Sequence, residues 1–227
     1  MSTTGCSVTQ GDRMSSMTFE VEPLGEGADA LNLEENVNPD LIDLTVLCMT
    51  GVMTGTPAKM VFANSLSMAR RIGGDAFAFE ARHLIDDIKC LDDESITNAV
   101  KLSGLITDPE NYQPIEEINP DEATIQNVRT MVERLLCFYD EYGAKSPTFD
   151  ALWDVDVSKT WPTIEQILLL LVYWRMGLHS PRTWQFQNVN RLGIYNPRLN
   201  EVHQISVDDI PEDVIDEIDQ NIRRYSE

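Results

Sequence analysis

Basic residues are scarce in this sequence. Its 227 residues include 17 Lys and Arg against 38 Asp and Glu, so the formal net charge is −21. Proteins that bind nucleic acid directly use Lys and Arg to displace the counterions of the phosphate backbone. A surface with this excess of carboxylates repels such a backbone, so direct binding of DNA or RNA is disfavoured. Either a small local site works against this field, or the acidity is itself the functional feature.

Long apolar runs and clustered cysteines are also lacking. The longest apolar run, Ile167 to Trp174, is far too short to span a bilayer. The N-terminal residues show no signal-peptide pattern. The cysteines Cys6, Cys48, Cys90 and Cys137 have no CxxC or Cys/His spacing, which favours three buried thiols and one in a mobile tail over disulfides or a metal site. These absences together predict a protein of a reducing cytoplasm.

Helix signals dominate the first half of the chain. Residues 1–35 are rich in Ser, Thr, Gly and acids without periodicity, and we expect a flexible acidic leader. Asn38-Pro39 and Thr56-Pro57 each combine a capping side chain with a proline suited to the first helical position. Apolar residues then recur at helical spacing, and Gly73-Gly74 is expected to end the second helix. The sequence therefore predicts a wholly helical region over residues 36–108.

The second half predicts a mixture of helices and strands. Asn119-Pro120 signals the start of a long amphipathic helix, and residues 149–157 alternate with the two-residue period of a strand. A helix over residues 163–177 carries apolar side chains around most of its circumference, which is typical of burial on more than one side. Two β-like segments and a short acidic helix follow, over residues 183–195, 201–207 and 209–224. We therefore predict an α+β protein in which residues 119–227 form an α/β core with an acidic C-terminal helix.

Several sequence motifs between about Pro39 and Ile210 resemble those of known proteins. Residues 152–159 read LWDVDVSK, and residues 191–202 read RLGIYNPRLNEV. Both are similar to motifs of a group of largely uncharacterised bacterial and mobile-element proteins with a PD-(D/E)XK nuclease-like core, which read approximately LWDFKVSK and IGIFNPRLNKVY. The NPRLN run is the most specific part of the resemblance. It implies a small core of strands flanked by helices, preceded by the N-terminal helical region.

The resemblance also implies a metal-dependent centre in which this chain departs from the pattern. In such nucleases, acids on two neighbouring strands hold one or two Mg²⁺ ions, and a Lys two positions after the second acid orients the attacking water. Asp154 stands at the acid position, but Asp156 occupies the position of the Lys and Leu169 that of an assisting helix Gln. Segment 143–149 is also shorter than the strand that brings the other acid. A carboxylate in place of a cation reverses the field at the scissile phosphate, so we expect no catalytic residues and no cofactor.

A Mg²⁺-dependent nuclease with a rearranged active site is the alternative. Its catalytic residues would be Asp150, Asp154, Asp156 and Lys159, with Asp154 as the metal ligand. Asp154 and Asp156 share one face of the predicted strand, whereas Lys159 falls on the other. The three histidines lie in different predicted elements and have no metal-binding spacing: His83, His179 and His203.

The acidic residues are concentrated in two segments. From Glu201 to Glu227 there are nine acids against two arginines, and from Asp86 to Glu122 there are eleven acids against two lysines. Rows of carboxylates imitate backbone phosphates, so we predict that these segments bind a basic nucleic-acid-binding protein or defence complex. The expected contact residues are Asp208, Asp209, Glu212, Asp213, Asp216, Glu217, Asp219, Asp92, Asp93 and Glu94. A solvated acidic surface that aids solubility, or a halophilic origin, would explain the same charge.

These expectations combine into one functional hypothesis. The resemblance to mobile-element proteins and the acidity together predict a non-catalytic inhibitor of a nucleic-acid-handling host protein, of the anti-defence or anti-CRISPR type, in the cytoplasm of a bacterial host. Arg182, Arg191 and Arg198 are the candidates for a local basic patch, although isolated surface arginines are the more common explanation.

Overall fold

A computed structural model describes residues 20–24, 30–31, 36–107, 118–143, 147–157 and 163–225, without the side chains of residues 164 and 223–225. Within these ranges the chain forms eight α-helices and a four-stranded mixed sheet, which confirms the α+β class. It divides into two compact units. The helical unit comprises Asp29–Tyr142 with Pro197–Leu199, and the α/β unit comprises Met1–Ala28, Gly143–Asn196 and Asn200–Glu227.

The described residues of the helical unit form five helices. They are α1 (Pro39–Met53), α2 (Ala58–Val61), α3 (Ala63–Asp86), α4 (Asp93–Thr107) and α5 (Glu122–Tyr142). The Asn38 side chain accepts a hydrogen bond from the Asp40 backbone N–H at 2.9 Å, as its capping position predicted. At the start of α5 the capping residue is Asp121 rather than the predicted Asn119, since its carboxylate accepts from the Thr124 N–H at 2.7 Å.

Helix α5 belongs to the helical unit, which differs from our prediction that residues 119–142 form part of the α/β core. Its apolar face includes Val128, Met131 and Leu135, all fully buried. Helix α1 packs against both α4 and α5, and α3 packs against α4. The amphipathic pattern of α5 predicted a buried face correctly, but it carried no information about which neighbour buries that face.

Helix α3 consists of two helical segments that meet at the glycine pair, where we expected a helix to end. Gly74 has φ 72° and ψ −160°, which is not helical, so the first segment ends there as predicted. This φ is in the left-handed region, which a residue with a Cβ adopts only with strain. The pair therefore changes the direction of the chain, and helical hydrogen bonding resumes after it.

In the part of the α/β unit that the structure describes, the chain forms the sheet and three helices. In chain order they are β1 (Glu20–Pro23), β2 (Ala151–Val155), α6 (Ile164–Leu178), α7 (Thr183–Phe186), β3 (Arg191–Asn196), β4 (Glu201–Ser206) and α8 (Glu212–Tyr225). The strand order is β1-β4-β3-β2; β2 runs parallel to β3, and the other pairs are antiparallel. The element β2-α6-β3 is therefore a crossover unit that carries the LWDVDV motif on its first strand.

Two segments of the α/β unit differ from their predicted structure. Residues 20–23, which we assigned to the loose leader, form strand β1 because their backbone pairs with the edge of β4. Residues 183–186, which we predicted to be β-like, form helix α7; the Thr183 N–H donates to the Ser180 carbonyl in the preceding turn. The aromatic ring of Phe186 then packs on α6 at Gly177, so tertiary packing overrides the local β preference of this segment.

One face of the sheet packs against α6 and α8 to form the core of the α/β unit. Leu192 and Ile194 of β3 contact a cluster of buried residues from the two helices: Leu170, Leu171, Trp174, Val214 and Ile218. Thr163 begins α6 with a capping box, in which its hydroxyl accepts from the Gln166 N–H and the Gln166 side chain accepts from the Thr163 N–H. None of the described helices is long and apolar enough to cross a membrane.

Candidate functional site

The acids of the LWDVDV motif lie on and beside strand β2. Asp150 precedes the strand and is exposed, Asp154 is exposed within it, and Asp156 follows it and is buried. Asp154 pairs with Ile194 of β3, which in turn pairs with His203 of β4. The Asp156 N–H donates to the Tyr195 carbonyl at 3.0 Å and continues the ladder. The structure therefore brings Asp154 and Asp156 to one face of the sheet, as their spacing predicted, whereas Lys159 lies outside the described residues.

A buried histidine accompanies Asp156 on that face. His203 is almost fully buried, and its Nε2 lies 3.4 Å from Glu201 Oε2. Burial lowers the pKa of His203, and the neighbouring Glu201 and Asp156 carboxylates partly oppose that shift. The buried carboxylate of Asp156 thus interacts electrostatically with the His203 imidazole.

Sequence reasoning named His203 but did not place it beside Asp156, because its neighbours come from strand pairing. His203 is separated from Asp156 by the whole of α6 and β3, so no short-range spacing joins them. The two-residue alternation of β4 could have placed His203 and Glu201 on one face. In the described part of the chain, no group of three or more His, Cys, Asp or Glu side chains is arranged to hold a metal ion.

The acidic C-terminal segment presents a row of exposed carboxylates. We call this the acidic surface; it consists of Asp208, Asp209, Glu212, Asp213 and Asp216, all exposed. The first two residues lie in a 3₁₀ turn, Val207–Asp209, and the others lie on the first turns of α8. At a rise of about 1.5 Å per residue, Glu212 and Asp216 are about 6 Å apart along the helix axis. Glu217, the next predicted contact residue, is half-buried.

Asp219 does not belong to the acidic surface, although we predicted it as a contact residue. It lies at the border of the apolar face of α8, where Arg175 of α6 reaches it. Its carboxylate accepts hydrogen bonds from Arg175 Nε at 2.8 Å and Arg175 Nη2 at 2.6 Å. His179 Nε2 lies 3.3 Å from the same carboxylate. The hydrogen bonds from Arg175 hold the pKa of Asp219 below its usual value, so this acid pairs α8 with α6.

The acids at the start of α4 are also engaged within the chain. Asp92 accepts hydrogen bonds from the Cys90 thiol at 2.9 Å and from the Ser95 N–H at 2.7 Å, and these bonds lower its pKa. Asp93 forms an ion pair with Arg129 of α5, and Glu94 is exposed. Asp92 therefore caps α4 and Asp93 pairs it with α5 in the helical unit, whereas the acidic surface lies in the α/β unit. The two acidic segments therefore belong to different units.

Five exposed carboxylates on one short segment give the acidic surface the chemistry of a polyanion. No known protein family, curated protein or solved structure matches this chain. Its function therefore has to be inferred from its own side chains.

The arginines that we considered as a local basic patch have different roles. Arg198 of the NPRLN run is fully buried in the helical unit, with its Nη2 3.2 Å from Asp43 Oδ1. The preceding carbonyl, that of Pro197, accepts from Arg134 Nη1 at 2.8 Å. Arg182 and Arg191 are exposed in the α/β unit. Arg198 and Pro197 of the NPRLN run thus have structural roles in this chain.

The cysteines differ from the predicted three buried thiols. Cys48 is half-buried, and burial raises its pKa to about 11. Cys90, in the connection between α3 and α4, and Cys137, on α5, are both exposed. Cys6 lies outside the described residues.

Proposed function

We propose that this protein is a non-catalytic acidic binding protein on a degenerate PD-(D/E)XK-like scaffold. It inhibits a basic nucleic-acid-handling protein by placing the acidic surface in a cationic groove that otherwise holds DNA or RNA. The observation that carries this proposal is the row of five exposed carboxylates from Asp208 to Asp216, in a chain with a net charge of −21. Its resemblance to mobile-element proteins favours a defence complex, such as a CRISPR effector, as the target.

Electrostatics supports this choice of partner. A surface of one sign attracts a surface of the opposite sign over distances of about a Debye length, roughly 8–10 Å at physiological salt. Complementary charge accelerates association and discriminates against wrong partners. Three of the carboxylates lie on the first turns of α8 and two in the turn before it, so they offer a cationic groove several acceptors for Lys and Arg within one short segment.

The surroundings of Asp156 support a non-catalytic role. A Lys at that position would stabilise the charge that develops on a phosphate in the transition state. A carboxylate there repels it, and two unit charges 4 Å apart interact by about 4 kcal/mol at an effective dielectric constant of 20. Asp156 is also buried beside His203, so it is held within the sheet rather than presented to a substrate.

A displacement assay tests the proposal. Fluorescently labelled duplex DNA is bound to a CRISPR effector complex, and the protein is titrated in while fluorescence anisotropy reports the release of the DNA. We expect displacement by the wild type. A triple variant with Glu212→Lys, Asp213→Lys and Asp216→Lys should require at least about tenfold more protein.

The matched control changes the same charge elsewhere. Glu133→Lys, Asp140→Lys and Glu141→Lys alter three exposed acids on α5 of the helical unit, so the net charge of the two triple variants is equal. The control should displace DNA like the wild type. Equal loss in both variants would show that total charge, and not the acidic surface, is responsible; no displacement by the wild type would reject this target.

A nuclease with a rearranged centre is the second candidate, because Asp154 and Asp156 share a sheet face with Glu201 and His203. Incubation with plasmid and single-stranded DNA in Mg²⁺ or Mn²⁺ tests it, with Asp154→Ala as the comparison. Cleavage that Asp154→Ala abolishes would overturn the non-catalytic proposal.

A further inference from the structure

A small cavity lies where the two segments of helix α3 meet. It is lined by six side chains, all of them from this helix: Leu66, Arg70, Asp75, Ala78, Phe79 and Arg82. We call it the α3 cavity. The first two of these residues precede Gly74, whose φ and ψ are not helical, and the other four follow it. The cavity therefore depends on the bend in the chain at Gly74.

The inner part of the α3 cavity is apolar and has room for one aromatic ring. Ala78 is buried, Leu66 is half-buried, and Phe79 adds an aromatic side chain whose ring is held edge-on to His83, with 4.5 Å between the ring centroids. The cavity has a volume of about 160 Å³. An enclosed apolar cavity of about 150 Å³ in a protein binds benzene. The α3 cavity therefore fits a ligand whose apolar part is the size of a benzene ring.

Charged groups surround this apolar interior. Arg70 and Arg82 are both exposed, so their CH₂ groups line the cavity while their guanidinium groups remain in contact with water. Arg70 Nε donates to Asp75 Oδ1 at 3.2 Å, and the Nη groups of Arg70 have no acceptor among the described residues. Arg82 forms no ion pair in the described part of the chain. Two arginines and one aspartate give the lining a formal charge of +1.

Helix α3 is the place in this acidic chain where an organic anion meets less repulsion. The helix carries three arginines and three acids, whereas the whole chain has a net charge of −21. A guanidinium group is a planar fork of donors that matches the two oxygens of a carboxylate. A lining with a charge of +1 complements an anion with a single negative charge.

We propose that the α3 cavity binds a small organic monocarboxylate. The apolar part of the ligand lies against Ala78 and Phe79, and its carboxylate accepts hydrogen bonds from Arg70 and Arg82. The ligand therefore competes with Asp75 for the Arg70 guanidinium. For a ligand as small as benzoate we expect a dissociation constant of about 1 mM. The cavity belongs to the helical unit and the acidic surface to the α/β unit, so this inference does not depend on the proposed function.

Nuclear magnetic resonance of the isotopically labelled full-length protein measures this binding. Sodium benzoate is titrated in at constant ionic strength, and the amide resonances of α3, such as those of Gly73 and Gly74, should shift. Benzamide has nearly the same shape without the charge, so it should bind at least about fivefold more weakly. No shift of the α3 amides with about 20 mM benzoate, or equal affinity for the two compounds, would overturn the proposal.

Substitution of one arginine tests whether the cavity, rather than the helix as a whole, attracts the anion. Arg82→Gln removes one positive charge from the lining and should weaken benzoate binding about fivefold. Arg71→Gln is the matched control, because Arg71 is exposed on the same helix but does not line the cavity. It changes the net charge by the same amount and should leave the affinity unchanged.

Substitution of the competing acid should have the opposite effect. Asp75→Asn frees the Arg70 guanidinium and should tighten benzoate binding about threefold. Asp86→Asn is its control, since Asp86 is an exposed acid of α3 outside the cavity. The amide spectra of all four variants also show whether each one is folded. Equal affinities in Arg82→Gln and Arg71→Gln, or in Asp75→Asn and Asp86→Asn, would contradict a site in the cavity.

Discussion

Replacing Asp219 with Ala separates the role of this acid from that of the acidic surface on the same helix. The variant removes the carboxylate that accepts both hydrogen bonds from Arg175, at 2.8 and 2.6 Å. The Arg175 side chain is only 18% exposed, so its guanidinium loses its counter-charge where water reaches it poorly. Asp216→Ala is the matched control, since it removes an exposed carboxylate three residues earlier.

The expected loss of stability follows from the burial of the pair. Removing one partner of a buried ion pair lowers the free energy of unfolding by about 3–5 kcal/mol. Because the two side chains retain 18% and 11% exposure, we expect the lower end, about 3 kcal/mol. At about 2–4 °C per kcal/mol for a chain of this size, the Tm falls by about 6–12 °C. Asp216→Ala should change the free energy by less than about 0.5 kcal/mol.

Tryptophan fluorescence during urea unfolding measures this difference. All four tryptophans of the sequence lie in the Gly143–Asn196 segment, so the signal reports the α/β unit that contains the pair. Arg175 lowers the pKa of Asp219, so the stabilisation is present above the ordinary Asp pKa of about 3.9 and is lost as the pH falls through the lower folded-state value. The unfolding midpoints of Asp219→Ala and Asp216→Ala should therefore converge at acidic pH. Equal unfolding midpoints for Asp219→Ala and Asp216→Ala at pH 7 would refute the reasoning.

Two further predictions concern the sheet. Burial lowers the pKa of His203, so the unfolded chain binds a proton at this residue before the folded chain does, and the wild type loses stability as the pH falls below about 6.5. The urea midpoints at about pH 7.5 and 5.5 should therefore differ less in His203→Gln than in the wild type or in His83→Gln. An equal difference in all three proteins would contradict the assignment. Gly193→Ala places a Cβ 2.0 Å from Trp153 Cζ3 and should lower the free energy of unfolding by about 1–3 kcal/mol. The same change should be nearly neutral in a Trp153→Leu background, and an undiminished loss there would show that the indole is not the cause.

Local signals in the sequence predicted the ends of several helices. Asn38 with Pro39 marked the start of α1, and the apolar helix predicted from residue 163 does begin there, at a Thr163 cap that spans three residues. Such capping contacts depend only on residues close in sequence, so they can be predicted without knowledge of the tertiary structure. Strand β1 was missed because four residues hold too short a pattern, and its partner β4 follows it by about 180 residues.

The surroundings of the candidate site were less predictable than its strand. Alternation placed Asp154 and Asp156 on one face correctly, whereas His203 reaches that face only through two strand pairings. The contact residues on α8 were chosen by charge, and charge alone does not distinguish exposed Asp216 from Asp219, which α6 buries. The hydrophobicity of α6 indicated a core helix, but one side of it has no neighbour among the described residues.

The turn Pro197–Leu199 has a consequence for how this protein is made. It supplies Arg198 to the helical unit, where Asp43 is its ion-pair partner, yet it follows Tyr142 by 57 residues (199 − 142). A ribosome adding about 5–20 residues per second needs roughly 3–11 s to cover that stretch. The N-terminal helices therefore leave the ribosome before the last piece of their own core has been translated. In a nascent chain that stalls within this interval, the helical unit is incomplete. It is exposed to chaperones and proteases before synthesis of the protein has ended.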